Sequence, residues 1–578
     1  MNPSPSRSDQ SPRREALVVA ALTAAGGLLR LWSIGRLGLV HFDEGIYAMA
    51  GTWAMSPRGL GGLDPTLISY APPGFVFLVG LFYGLIGASD VSAILVSIVA
   101  GTLTIPVAGW LAYRSFGRGA GAAASAFAAL AGPHVAFSRM ALTDVSFLLF
   151  WLIAVGQGQR FVERPGPARA GALGIAVGVA QLFKYNGWLA GIVVALGAAT
   201  WTVLHREEWT PRKQARLWGW GAFAAIVAAV VYWPWFRFVE SHGGYAALLA
   251  HQRGYMGGVS SWPDHALVQL EQDRALSGGL PWMAFGGLAA AIATLTAIGG
   301  AGGPRRSPAI GLTIALSLTA LCSFFHGALF GAVLWMIVFA MAGVRTPTPT
   351  VLVLALGWIV LALLTPFYHP YARLLLPLQG FAWLLLGGAF AIIGQSLERV
   401  GASEPRRIGG VPRSLLGFAA GCWLVPLVLA VLPGPRAVST WSISEILEPS
   451  DSLRQGCRSL GATLLKAPSS LRLYARPPVT FYLSGVVPVA PQPTLEALLA
   501  ARDPGAWALL DAAMVRQGGG IRGRLPGLAD RWDLVREIPT TLNLPTLLDV
   551  DPSAAASRSA DRSAPLLLFR PKPPGASR

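Results

Sequence analysis

Two adjacent carboxylates, Asp43 and Glu44, follow the first apolar run in Val40-His41-Phe42-Asp43-Glu44-Gly45-Ile46-Tyr47-Ala48. A third, Asp144, lies far along the chain in Phe137-Ser138-Arg139-Met140-Ala141-Leu142-Thr143-Asp144-Val145. Ionisable side chains are costly at a hydrocarbon layer, so the few that border apolar runs are functional candidates. Such a carboxylate can take a proton from a hydroxyl or amine as general base, or hold a cation. The plainer readings are helix capping and, for Arg139 with Asp144, a local ion pair. Cations border apolar runs in the same way. Lys184 sits in Leu182-Phe183-Lys184-Tyr185-Asn186-Gly187, and Arg373 lies between Tyr368-His369-Pro370-Tyr371 and Leu374-Leu375-Leu376-Pro377. A guanidinium flanked by Tyr and His suits an anionic oxygen cluster such as phosphate, while a lysine between two spans can equally snorkel to the interface. Carboxylates and cations that meet at a membrane surface point to chemistry on a lipid-borne phosphate.

Long apolar segments must position these groups. The 578 residues are 53% hydrophobic and 13% charged, against roughly 25% charged in an ordinary soluble domain. Apolar runs recur from Ala16 to Leu432, each close to the length that crosses a hydrocarbon core of about 30 Å. This predicts a polytopic α-helical membrane protein with about thirteen spans, near 15–34, 92–113, 118–138, 142–158, 170–186, 187–204, 215–236, 280–302, 308–325, 327–343, 350–367, 374–394 and 414–433. The stretch Pro73 to Gly87 is too short and glycine-rich to cross, and is expected at the outer interface. With residues 1–14 as a cytoplasmic tail, most loop Lys and Arg fall inside, as charge bias requires. The net charge of +17 is then explained without nucleic acid. The first run is expected to be retained as an anchor, since no small-x-small cleavage site follows it.

In this arrangement residues 15–433 form the membrane domain, with outer loops at 35–91 and 237–279. The second holds Tyr245, His251, Arg253, Tyr255, Trp262, Asp264 and Asp273, and reads as an acceptor-contacting region or as a pair of interfacial helices. From about Pro435 the apolar density falls. A small α/β domain outside the membrane is expected over 434–572, with strands at Leu471–Tyr474 and Leu567–Phe569, a helix at Pro493–Ala501, and a tail at 573–578. Cys322, Cys422 and Cys457 give no disulfide framework. The histidines show no H-E-x-x-H spacing, and Gly299-Gly300-Ala301-Gly302-Gly303 lacks the setting of a nucleotide loop. No organic cofactor is expected. A divalent cation held by Asp43, Glu44 or Asp144 with a phosphate is left open.

Phe42-Asp43-Glu44-Gly45-Ile46-Tyr47-Ala48 resembles the Asp-Glu motif in the first outer loop of the family 39 C-type (GT-C) glycosyltransferases, which include protein O-mannosyltransferases and the transferases that add aminoarabinose to lipid A. Ser138 to Asp144 is similar to their second acidic motif, and Tyr70-Ala71-Pro72-Pro73-Gly74 to their diproline element. Tyr232-Trp233-Pro234-Trp235-Phe236, Lys184 and Tyr368 to Pro377 resemble further family elements. Ala71 is a departure, because many bacterial members carry there a Lys that contacts the donor phosphate.

The resemblance implies inverting transfer of a sugar from a polyprenyl-phosphate donor to an acceptor glycan, lipid or protein at the outer face of the plasma membrane. Asp43 would be the general base, with Glu44 and Asp144 orienting the acceptor or holding a cation. Lys184, Arg373 and Arg139 would contact the donor phosphate, and Tyr47, Tyr368, His369 and Tyr371 the substrates. The competing class is a transporter or flippase for an anionic lipid-linked substrate. Against it, the polar groups border spans instead of lying at the midplane, and no inverted repeat is visible.

Overall fold

The computed structural model describes residues 10–54, 72–276, 348–403, 441, 443–465, 470–500, 506–517, 532–556 and 560–572. The expected spans at 280–302, 308–325, 327–343 and 414–433 lie outside the described residues. The membrane part is helical: α1 (Gln10–Leu31), α2 (Phe42–Ala54), α3 (Gly74–Ile86), α4 (Asp90–Phe116), α5 (Ala120–Leu130), α6 (Gly132–Ser138), α7 (Thr143–Glu163), α8 (Pro167–Phe183), α9 (Leu189–Leu204), α10 (Pro211–Ser241), α11 (Gly244–Arg253), α12 (Trp262–Leu276), α13 (Pro349–Leu364) and α14 (Leu376–Ser403). Among the described residues, five helical segments are long and apolar enough to cross a membrane, and α5 with α6, bent by 57°, is long and apolar enough only when the two are taken together. The protein is a membrane protein. The 13 residues of α3 rise only about 20 Å, and those of α8 and α9 are also shorter than a full crossing.

Local chemistry sets several helix starts. Ser89 accepts the Ser92 N–H at 3.1 Å ahead of α4. Thr210 and Thr348 do the same for the third residues of α10 and α13, each followed by proline. Such caps satisfy donors that have no partner inside the helix. The bend between α5 and α6 is held by a charge. Arg30, fully buried in α1, donates to the carbonyls of Ala128 and Ala129 at 3.1 Å and from Nε to Ser138 Oγ at 3.1 Å. Those carbonyls close α5 and lack helical partners, so the guanidinium and the break satisfy each other.

The C-terminal region is a five-stranded sheet in the order β2-β1-β3-β5-β4. Its strands are β1 (Ser470–Tyr474), β2 (Val489–Pro491), β3 (Ala506–Asp511), β4 (Trp532–Ile538) and β5 (Leu566–Pro571). β1 pairs in parallel with β2 and β3, whereas β5 runs antiparallel to β3 and β4. The strand at 567–569 lies inside β5, the helix expected at 493–501 is α17 (Leu495–Ala500), and α18 (Ala512–Gln517) follows β3. Alternation along the strands gives the sheet two apolar faces. Leu471, Leu473, Leu509, Leu566 and Leu568 meet Leu453, Cys457, Leu460 and Leu464 of α15 (Ser452–Leu464), whereas Ala508, Leu510 and Phe569 meet Leu495, Leu498 and Trp532.

This domain is joined to the loop between α1 and α2 by buried polar contacts. Arg476, ahead of α16 (Pro477–Leu483), pairs with Asp511 at 2.6 Å and donates to the Val40 carbonyl at 2.9 Å. Arg454 bonds Asp90 at 3.1 Å and the Gly35 carbonyl at 2.7 Å, and the Tyr482 hydroxyl receives the Leu39 N–H and donates to Asp90. Removing one partner of a fully buried pair strands the other charge. Arg476→Ala is expected to destabilise the domain by about 3–5 kcal/mol, measured as earlier thermal unfolding and faster proteolysis of the C-terminal region; unchanged stability would show that the pair does not hold the joint.

Candidate active site

The site forms where the loop ahead of α2, the α6–α7 and α8–α9 turns, and the short turn Ala372–Leu375 come together. Asp43 opens α2 and Arg373 lies in that turn, far along the chain. Arg373 Nη1 donates to Asp43 Oδ2 at 2.6 Å. Asp144 is in the first turn of α7, where a negative charge favours the helix dipole, and it receives a hydrogen bond from Lys184 Nζ at the end of α8. The two ion pairs form one cluster, because Lys184 acts on Asp43 and Asp144 acts on Arg373. The local alternative of an Arg139–Asp144 pair is not what forms. Asp43 is the accessible carboxylate, with 32% of its side chain exposed against 3% for Asp144.

Burial pushes Asp43 up, but Arg373, helped by Lys184, outweighs it and holds the carboxyl below its ordinary value. Burial likewise works against the charge on Arg373, and Asp43, Asp549 and Asp144 overcome it. Both groups are therefore ionised at neutral pH.

Glu44 stands elsewhere than expected. It is fully buried, and its Oε2 accepts the Val40 and His41 N–H groups at 2.7 and 2.8 Å while Oε1 accepts the Ala141 N–H at 2.8 Å. This is a reciprocal cap: His41 Nδ1 accepts the Asp43 N–H at 3.0 Å, and Glu44 reaches back to the backbone before the helix. Three backbone donors hold the carboxylate, and it fastens the Asp43 loop to the α6–α7 turn. Arg139 needs the same correction. Its guanidinium is buried and donates to the carbonyls of Arg30, Trp32 and Leu447, so it ties the end of α1 to the chain leading into the C-terminal domain and does not join the cluster. Tyr47, one turn after Asp43, is buried edge-on against Phe75 of α3 and lies within electrostatic reach of Asp43, Arg373 and Asp144.

The described part of this loop, up to Leu276, forms α11 and α12, and its connection lies against the segment before Arg373. Gly257 N–H donates to the Phe367 carbonyl at 2.8 Å, and His369 N–H to the Tyr255 carbonyl at 2.7 Å. Tyr368 stacks on Tyr255 and donates to Gln252 Oε1 at 2.6 Å. Tyr371 presents its ring to Arg373 at 5.0 Å, and His369 contacts Tyr371. The aromatic residues expected at the substrate thus form the wall beside Arg373. Among the described residues, no three His, Cys, Asp or Glu side chains gather into a metal-binding group.

Two participants were missed by sequence reasoning. Asp549 of α19 (Leu544–Val550) accepts a bond from His41 Nε2 at 2.7 Å and lies 3.7 Å from Arg373 Nε. Nothing in the spacing of a carboxylate within a soluble domain marks it. Histidine spacing does not single out His41, whose place before Asp43 is a capping position.

Residues 70–233 match the family model for dolichyl-phosphate-mannose-protein mannosyltransferase. The structure of ArnT from Cupriavidus metallidurans bound to undecaprenyl phosphate matches over 96% of this chain and 97% of its own, with a TM-score of 0.54 and 14% identity. The fold is that of the GT-C glycosyltransferases. A second GT-C structure, the Archaeoglobus fulgidus oligosaccharyltransferase in its apo form, matches over 90% of this chain and 73% of its own, with a TM-score of 0.51 and 14% identity. No curated protein matches in sequence. The enzyme class read from the motifs is the class these matches share. The family match takes in the diproline element, Asp144 and Lys184, whereas Asp43 and Arg373 lie outside the matched residues.

Gly45 explains how closely α2 meets the C-terminal domain. A Cβ on it would lie 2.2 Å from Pro478 N and 2.4 Å from the Pro477 carbonyl carbon, both rigid backbone atoms. Gly45→Ala must push α2 away from α16 and is expected to cost about 1–3 kcal/mol, read as a lower Tm of the solubilised protein. An unchanged Tm would mean the two helices do not need this approach.

Proposed function

We propose that this chain transfers a sugar from a polyprenyl-phosphate donor to a hydroxyl or amine of an acceptor, with inversion, at the extracytoplasmic face of the plasma membrane. The N-terminus is then cytoplasmic, and the C-terminal domain covers the site from outside. The observation that carries this reading is the Asp43–Arg373 pair beside Asp144–Lys184: an accessible carboxylate already bonded to the cation that would receive the phosphate, in a GT-C fold. A relative of that fold, ArnT, is seen with undecaprenyl phosphate bound.

Asp43 takes the proton of the acceptor nucleophile as that atom bonds to the anomeric carbon. The bond from this carbon to the phosphate oxygen breaks, and its electron pair leaves with the lipid phosphate. Arg373 and Lys184 stabilise that charge, an effect that is largest where water is excluded. Binding and basicity are coupled. While Arg373 faces Asp43 it lowers the carboxylate's proton affinity; when donor phosphate engages Arg373, that restraint weakens and Asp43 becomes the stronger base. The driving force is the donor's own phosphate ester, so the reaction requires no nucleotide. Asp144 holds Lys184 in place, and the apolar helix α3, which follows the diproline, is suited to lie along the polyprenyl chain.

Asp43→Asn keeps the shape and removes the base. Transfer by the purified protein with a lipid-phosphate sugar donor should fall about 10²- to 10⁴-fold with donor affinity retained, and near-normal transfer would refute the assignment. Arg373→Ala in the same assay should raise the KM for donor more than that for acceptor. A change confined to the acceptor would refute the phosphate role.

A further inference from the structure

Among the described residues the C-terminal domain enters the ion-pair cluster through Asp549. Its helix, α19, begins at a cap in which Asn543 Oδ1 accepts the Thr546 N–H at 3.0 Å. Leu547 and Leu548 are buried in the core shared with the membrane helices, and the next side chain, Asp549, meets the loop that carries Asp43. Only 3% of that side chain is exposed. Oδ2 accepts from His41 Nε2 at 2.7 Å and faces Arg373 Nε at 3.7 Å. The His41 proton is assigned to Nε2, because Nδ1 already accepts the Asp43 N–H. Asp549 Oδ1 is buried and has no hydrogen-bond partner. An unsatisfied buried carboxylate oxygen lowers stability, so a purely structural role does not account for it.

Arg373 therefore stands between two carboxylates on different edges of its guanidinium, with Nη1 on Asp43 and Nε towards Asp549. We infer, on the donor reading above, that Asp549 is a positioning residue for the transfer: it is the second counter-ion of Arg373 and holds the guanidinium when Nη1 leaves Asp43 for the donor phosphate. Without it Asp43 is the one carboxylate in contact with the arginine, and nothing holds the guanidinium by its second edge. When phosphate does bind, the unbalanced cation holds it at least as strongly, but in a less defined orientation.

The test is a split between affinity and turnover. Asp549→Asn keeps the volume and an acceptor oxygen for His41, and removes only the charge. Binding of undecaprenyl phosphate to the purified full-length protein is expected to be unchanged or tighter, while kcat for transfer falls about 10- to 100-fold, the size of effect a displaced reacting group produces. In an Arg373→Ala background the same substitution should add no further loss, since its effect runs through that arginine. Arg373→Lys is the second variant, independent of how the C-terminal domain tolerates change. It keeps a cation for phosphate but has no second edge for Asp549, and the same split is expected. Parallel weakening of binding and turnover, full additivity with Arg373→Ala, or no change would overturn the inference. If the unmodified protein neither binds undecaprenyl phosphate nor transfers from a lipid-linked donor, the donor reading itself fails and this inference with it; binding by the unmodified protein without the split overturns this inference alone.

Discussion

A charge buried in an apolar bundle needs a partner at hydrogen-bond distance, and this constraint organises one end of the molecule. Arg373 answers it with Asp43 and Asp549, Lys184 with Asp144, and Arg476 with Asp511. Each pair joins elements distant in sequence, so the ion pairs fix tertiary position as well as charge. Where no acid is available, orphan carbonyls serve, as they do for Arg30 and Arg139. Buried ion pairs add little net stability compared with apolar packing. Their retention at one end of a chain so poor in charge fits a role in chemistry better than one in folding.

Asp43 is accessible because its neighbours absorb the structural work. Glu44 caps the helix and binds the α6–α7 turn, His41 caps the Asp43 N–H, and Gly45 lets α2 reach the backbone of Pro477 and Pro478. Adjacent residues of one short motif thus divide into an accessible carboxylate and the frame that holds it. The C-terminal domain supplies the rest of that frame, through Arg476 on Val40 and Tyr482 on Leu39. Precise placement of a reacting group is worth large factors in rate, and this loop is held from both sides.

Much of this was legible from residue types. Charges are rare in the chain, so those bordering apolar runs stood out, and Asp43, Asp144, Lys184 and Arg373 do gather. The helices α4, α7, α10 and α13 follow from uninterrupted apolar length with Ser or Thr caps at three of them. What misled was adjacency. Glu44 and Arg139 border the same runs as the site residues, and only the direction of each side chain, set by packing, separates the cap and the tie from the cluster. Asp549 was invisible because a carboxylate in a soluble domain is ordinary; its significance comes from the docking of α19 on the membrane part, which no local pattern encodes. His41 was hidden for a similar reason, since its capping role depends on the φ and ψ of the loop it ends.

In the proposed reaction Arg373 passes from Asp43 to the phosphate of the lipid donor. The most direct measurement is a cryo-electron microscopy structure of the protein with undecaprenyl phosphate bound. Phosphate oxygens are expected within hydrogen-bond reach of Arg373 and Lys184, with the Arg373 Nη1 contact to Asp43 lengthened or lost and Asp43 turned towards the space where an acceptor would attack. A phosphate seated elsewhere, with the Asp43–Arg373 bond intact, would contradict the proposed reaction.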